Sequence, residues 1–296
     1  MNIMRRFLPV SLCLVSMTSF AQKKKPAAAA APAAPSGAIQ LVVDATMAPQ
    51  KILHAQLQIP VHAGEVTVVY PEWIPGEHGP TGPITDLTGV EFYAGGKRLT
   101  WRRDLVDMYA FHVTVPAGVS TLEARLDLVM PAPPEGFSSG ASATTQLLLL
   151  SWNQVVLYPQ GTDAHHVEIT AALKLPSGWH YGTALPVASD NPGQISFKTV
   201  ALTMLVDSPV LAGAHFRTIA LTPGQPIPHF IDMASDGDAA LQMPQPTIDA
   251  YKHLVAETGA LFGARHYNDY HFLLTLSDHT AHFGLEHHQS SDDRVA

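Results

Sequence analysis

Cysteine is almost missing from this 296-residue chain: the one thiol is Cys13, inside an apolar N-terminal stretch. The rest of the chain has no thiol, which excludes disulfides, cysteine nucleophiles and cysteine-ligated zinc there. Positive charge is also scarce. Seventeen Lys and Arg face twenty-five Asp and Glu, and from residue 38 onward only twelve bases remain against all twenty-five acids. Such a surface has no basic face for nucleic-acid phosphates and no cationic patch for an anionic membrane. Charged residues make up 14% and apolar ones 46%, too apolar a balance for a disordered chain. No H-E-x-x-H occurs. The longest early apolar run, residues 7–20, is shorter than the roughly 20 residues a spanning helix needs.

The N-terminus has the layout of an export signal. Arg5 and Arg6 precede the apolar run, and the small residues Ser19 and Ala21 stand where a signal peptidase would cut. Val10, Ser11 and Leu12 before Cys13 do not form a lipoprotein box. The expectation is a signal peptide over residues 1–21 and a periplasmic or secreted protein. Residues 22–37, three lysines followed by alternating Ala and Pro, read as an exposed, semi-rigid tether.

From residue 38 to about 217 the apolar pattern has the period of strands. Runs at 39–44, 52–59, 66–70, 90–93, 98–101, 111–115, 122–129, 167–175, 195–200 and 204–206 are separated by turn signals. One of these is Gly95-Gly96, a plausible hairpin turn. Regular strands without a helical stripe predict a β-sandwich. Two Gly- and Pro-rich stretches, 71–87 and 131–145, are long loops of the kind that carry function. Asp44, Asp86, Asp104 and Asp107 read as turn residues, and Trp73, Trp101, Trp152 and Trp179 as core or loop anchors.

The pattern changes after residue 217. Residues 223–246 are loop-rich, with a possible strand at 227–233. Ile248, Tyr251, Leu254, Val255, Thr258, Leu261 and Phe262 then fall at helical spacing, with Pro246-Thr247 to start the helix and Gly259 or Gly263 to end it. Residues 270–276 read as a buried strand, 277–281 as a turn and 282–291 as a further extended segment. A helix and one or two strands are too few to bury their own apolar faces. Residues 218–296 are therefore expected to be the incomplete α+β start of a second domain, with exposed apolar surface.

All sixteen histidines follow residue 37, and seven lie between His253 and His288. Their spacing does not build a zinc set. His282-Phe-Gly-Leu-Glu286-His287 has three residues before the Glu, not two. His287 and His288 would point to opposite faces of a strand, and His279 with His282 lacks an assured third ligand. Exposed polar histidines near a cleft remain the plain alternative. Gly284-Leu285-Glu286-His287 is the segment with recognisable chemistry. A Glu on an open strand edge can take the ammonium group of a peptide through charge-assisted hydrogen bonds, while the strand's free backbone groups pair with an extended peptide.

Tyr270-His-Phe-Leu-Leu-Thr-Leu-Ser-Asp278, followed by Phe283-Gly-Leu-Glu-His-His-Gln-Ser-Ser291, resembles the glycyl aminopeptidase family of zinc metallopeptidases. The Gly-Leu-Glu-His segment is similar to the Gly-Ala-Met-Glu-Asn exopeptidase motif of the aminopeptidase N group. Pro71-Glu-Trp-Ile-Pro-Gly-Glu-His-Gly79 resembles the Trp-x-Pro-Gly segment of the family's N-terminal β-domain. The resemblance implies a mainly β fold: an N-terminal β-sandwich, then the incomplete start of a thermolysin-like catalytic domain. It implies a zinc metallo-aminopeptidase acting on peptides with small N-terminal residues, Gly or Ala. Glu286 would recognise the substrate amino group, with Gly284, Leu285 and His287 lining the substrate strand. The family's H-E-x-x-H helix, its later Glu ligand, the general-base Glu and commonly a PDZ domain would follow Ala296. Zinc is thus implied for a full-length member and not for these residues, which are expected to be inactive alone. Two other readings stay open: a non-catalytic β-sandwich that binds a peptide or protein, and a metal-binding protein using the His-rich segment.

Overall fold

The computed structural model describes residues 37–74, 76–130 and 141–295. The expected signal peptide and all but the last residue of the tether lie outside these residues, as does most of the second long loop. No helix among the described residues is long and apolar enough to cross a membrane.

Strict alternation makes the first layer. In Ile52–Pro60, Leu53, Ala55, Leu57 and Ile59 are buried while His54 and Gln56 are exposed. Thr121–Val129 repeats the pattern with Leu122, Ala124, Leu126 and Leu128. The two strands pair antiparallel along their whole length, Leu57 opposite Ala124, so both apolar sets face one side. Around this pair a nine-stranded sheet runs in the order Val187–Asn191, Gln194–Phe197, Glu168–Lys174, Ile39–Asp44, Ile52–Pro60, Thr121–Val129, Leu87–Ala94, Lys97–Leu99, with Val200–Ala201 also on Glu168–Lys174. Two four-stranded sheets close the other side. One contains Gly64–Val69 and Ala110–Val115, the other Leu147–Leu150 and Val210–Gly213. Leu41, Leu57 and Leu126 of the large sheet share one core with Val68, Phe111, Leu148, Leu150 and Val210. This part is mainly β and sandwich-like. Trp152 is one of its anchors: fully buried, edge-on to Phe197 at 5.6 Å, its indole N–H donating to the Ser208 carbonyl at 3.0 Å.

Beyond the sandwich lies a five-stranded mixed sheet in the order His215–Ala220, His229–Ser235, Tyr270–Leu276, Ser290–Val295, Phe283–Glu286. His229–Ser235 and Tyr270–Leu276 are parallel, as are Tyr270–Leu276 and Ser290–Val295. The helix Gln245–Phe262 makes the first crossover. It buries Ile248 and Val255 against Ile231, Met233 and Leu274, and Tyr251 sits edge-on to Phe272 at 5.1 Å. Leu261 and Phe262 at its end remain 77% and 72% exposed. The sheet's other face packs Ala234 and Leu273 against Leu147, Leu149 and Leu211 of the sandwich.

Several elements differ from expectation. Residues 204–206 are not a strand but part of the short helix Leu202–Val206; Leu202 and Leu205, three apart, turn to the core together. The segment 282–291 is not one extended run. Phe283–Glu286 ends, a turn follows, and Ser290–Val295 returns as a strand inside the sheet. That strand was hidden by its polarity, since it reads Ser-Ser-Asp-Asp-Arg-Val. Asp292 and Arg294 are each 2% exposed and satisfy one another, Arg294 Nη2 donating to Asp292 Oδ2 at 2.8 Å, with the guanidinium 5.1 Å from the centre of the Phe283 ring. His215–Ala220 runs across the expected boundary at 217.

Candidate functional site

Among the described residues Phe283–Glu286 is the outermost strand of the mixed sheet and pairs on one side only, with Ser290–Val295. The register puts Phe283 opposite Arg294, Gly284 opposite Asp293, Leu285 opposite Asp292 and Glu286 opposite Ser291. The His287 amide donates to the Ser290 carbonyl at 2.8 Å. Hydrogen-bonded pairs alternate along an antiparallel ladder. Leu285 and Phe283 therefore bond inward, while the N–H and C=O groups of Gly284 and Glu286 point to the open edge. The side chains alternate as well: Phe283 is buried, Leu285 half-buried, and Gly284 and Glu286 are exposed on the opposite face.

The face that carries Glu286 is acidic. Ser291 Oγ donates to Asp293 Oδ2 at 2.7 Å. Burial pushes the Asp293 carboxyl up from the usual carboxylate range; the Ser291 hydrogen bond opposes the rise, and the charges of Asp292 and Glu286 add to it. Burial likewise raises Asp269 at the start of the neighbouring strand. A cation brought to Glu286 would meet a surface of opposite sign.

The structure brings together the two segments singled out in the sequence. The loop after Gly64–Val69 lies over the edge strand. A Cβ added at Gly76 would be 2.6 Å from Leu285 Cδ1 and 3.5 Å from the Glu286 carbonyl, and Gly76 has φ +80°. Only glycine meets both demands without strain. The loop is closed on itself by the Gly82 amide donating to Glu72 O at 2.9 Å and is tied to the sandwich by the Tyr109 hydroxyl donating to Gly82 O at 2.9 Å. Trp73 on the same loop is 66% exposed, not a core anchor. Ile74 and Glu77 of the loop, Asn153 and Gln154 of the sandwich, and Phe283 and Leu285 of the edge strand line one small cleft, in which Glu77 Oε1 is buried with no hydrogen-bond partner among the described residues.

His287 lies beyond the end of the strand and faces the sandwich. Its side chain is 6% exposed, with Nδ1 2.9 Å from Asp207 Oδ1. The His288 amide donates to Asp207 Oδ2 at 3.0 Å, and the His288 ring nitrogen Nε2 donates to the His266 carbonyl at 2.7 Å. Sequence reasoning missed Asp207. It follows the helix read as a strand, and no local pattern marks a carboxylate that acts 80 residues away.

The histidines are dispersed. His271 Nδ1 lies 2.5 Å from Asp232 Oδ2. His229 is buried, with Nε2 2.9 Å from the Tyr267 hydroxyl, and its pKa is depressed by burial and by the nearby Arg265 charge. Among the described residues no group of three His, Cys, Asp or Glu side chains could hold a metal ion. The donor set for the zinc implied by the resemblance does not fit these residues, and no cleavage step is derived from them. The stretch Gly136-Phe-Ser-Ser-Gly140, which has the spacing of a serine nucleophile elbow, lies outside the described residues.

Comparison with known proteins gives the same outline. No curated protein matches the chain. A crystal structure of an aminopeptidase N family protein from Idiomarina loihiensis superposes with a TM-score of 0.69 at 15% identity, covering 86% of this chain and 42% of that one. The M1 zinc metallopeptidase from Deinococcus radiodurans superposes with a TM-score of 0.52 at 11% identity, covering 88% and 60%. A mutant of the Deinococcus enzyme, bound to a Tyr-Ser-Ala substrate, superposes with a TM-score of 0.50 at 12% identity over the same shares. At these identities the likeness is one of fold, and the chain spans 42% to 60% of the lengths of these proteins. The sequence itself matches the peptidase M61 N-terminal domain over residues 40–214, more than half its length, and so the chain belongs to that peptidase family.

Proposed function

We propose that this chain is the front portion of a secreted zinc metallo-aminopeptidase of the glycyl aminopeptidase type, and that its own chemistry is recognition of a peptide's amino terminus. The observation that carries the reading is Glu286: an exposed carboxylate on a sheet edge unpaired among the described residues, two residues from a glycine that leaves that face open. The free N–H and C=O groups of Gly284 and Glu286 offer a ladder to an extended peptide. Glu286 offers its carboxylate to the terminal ammonium. Leu285 lies beneath the loop at Gly76, which leaves little room at this end of the strand and favours Gly or Ala as the first residue. Zinc would be held by the catalytic part that the resemblance implies for a full-length member.

The test is a titration of the isotope-labelled protein with Ala-Gly-Phe amide and with its N-acetylated form, followed by amide shifts. The free-amine peptide moves Gly284 and Glu286 and the acetylated one does not. Glu286→Gln weakens binding by roughly 10- to 100-fold, the worth of a hydrogen bond to a charged group. Equal binding of both peptides, or shifts confined to other residues, overturns the reading.

A further inference from the structure

We infer that Asp207, a residue of the sandwich, is a positioning residue for Glu286. The inference rests on the recognition role given to Glu286 above. Both oxygens of Asp207 are engaged by the turn that begins at the residue after Glu286: Oδ1 by His287 Nδ1 at 2.9 Å and Oδ2 by the His288 amide at 3.0 Å. One carboxylate thus holds a side chain and a backbone group of consecutive residues, which fixes the torsions of the turn and with them the direction in which the Glu286 side chain leaves the strand.

The rest of the turn is anchored within its own sheet. The His288 ring donates to His266 O at 2.7 Å, and the Asn268 amide donates to Gln289 Oε1 at 2.9 Å. Those bonds hold the turn to a neighbouring loop but do not refer it to the sandwich. Asp207 does. At the other flank Gly76, also from the sandwich side, touches Leu285 and approaches the Glu286 carbonyl. The C-terminal end of the recognition strand is thus held from two sides by the N-terminal part of the chain. Asp207 has the geometry for this work: it directly follows the helix Leu202–Val206, its amide donates back to Thr203 O at 3.3 Å, and Leu202 and Leu205 pin that helix to the core. Hydrogen bonds to an ionised acceptor are also stronger than neutral ones.

The experiment compares wild type, Asp207→Ala and Asp207→Asn by the thermal midpoint and three local measurements: amide exchange at residues 284–288, the side-chain rotamer of Glu286 from three-bond couplings, and affinity for Ala-Gly-Phe amide. In Asp207→Ala, His288 exchanges faster by about tenfold or more, the Glu286 rotamer becomes averaged, and affinity falls by roughly fivefold or more while the thermal midpoint moves little. Asp207→Asn, which keeps the shape and one acceptor oxygen, restores part of all three. A purely structural role gives the opposite split: a lower midpoint with rotamer and affinity of the folded protein unchanged, and that result overturns the inference. If wild type binds no peptide, the recognition reading fails. The exchange and rotamer data then decide the positioning role, which is lost if they do not differ between wild type and both variants.

Discussion

Replacing Arg294 by methionine tests whether the inner strand Ser290–Val295 is held by a buried ion pair. The guanidinium donates to Asp292 Oδ2 from Nη2 at 2.8 Å and from Nε at 3.1 Å, and Nη1 donates to Ser142 Oγ at 3.2 Å. Both charged residues are 2% exposed. Taking two charges from water is expensive, and the pair recovers that cost through mutual attraction; removing one partner strands the other. Arg294→Met should therefore cost about 3–5 kcal/mol, and Asp292→Leu combined with Arg294→Met far less, because no charge is left buried. For a chain of this size that loss lowers the thermal midpoint by roughly 6–20 °C. Urea unfolding of wild type, both single variants and the double variant gives the coupling directly. A loss below about 1 kcal/mol for Arg294→Met refutes the reasoning. So does a double variant as unstable as the sum of the singles, since the pair would then be worth its two halves independently.

Two further outcomes follow from local geometry. His229 is buried beside Tyr267 with a depressed pKa, so the unfolded chain binds the proton more readily and stability must rise with pH. Stability falls as pH drops through the unfolded value of about 6.5, by at most about 1.4 kcal/mol per pH unit; His229→Gln flattens this limb in denaturant titrations at pH 5 to 8, and an unchanged limb removes His229 as its source. Gly76→Ala places a methyl group 2.6 Å from Leu285 Cδ1 at a residue with φ +80°. It should cost about 1–2 kcal/mol from the backbone alone, with a further part relieved by Leu285→Ala, in a double-mutant cycle read by urea unfolding.

The sandwich was legible in the sequence where strands bury one face. Residues 39–44, 52–59 and 122–129 alternate cleanly, and the helix Gln245–Phe262 shows its stripe. Leu147–Leu150 was not seen, because both of its faces are covered: Leu148 and Leu150 enter the sandwich core and Leu147 and Leu149 meet Ala234 and Leu273. A run of four leucines has no period to read. Ser290–Val295 failed for the converse reason, since its burial rests on charge pairing and not on apolar side chains. Glu286 could be nominated from a short motif because edge strand and acid sit in one segment. The residues that hold this strand and the turn after it, Asp207 and Gly76, could not, since only folding brings residues 80 and 210 apart along the chain together.

The doubly covered strand also bears on what kind of object this chain is. If the sandwich were a self-sufficient module with a loosely attached second sheet, the contact between them would be polar and small, as between domains that move independently. Here Leu147, Leu149 and Leu211 are fully buried by residues from both parts. Asp236 accepts hydrogen bonds from Thr144 of the sandwich and from Ser277 of the second sheet, both at 2.5 Å. Exposing three leucines costs about 1.5–3 kcal/mol each, a sum comparable with the whole stability of an ordinary domain. The second sheet therefore completes the fold of the first. Because the same junction carries Asp207 and the loop at Gly76, the strand that presents Glu286 takes its position from the sandwich core. A change at that junction, at Leu149 or Leu211, is expected to shift the edge strand through packed side chains without touching it.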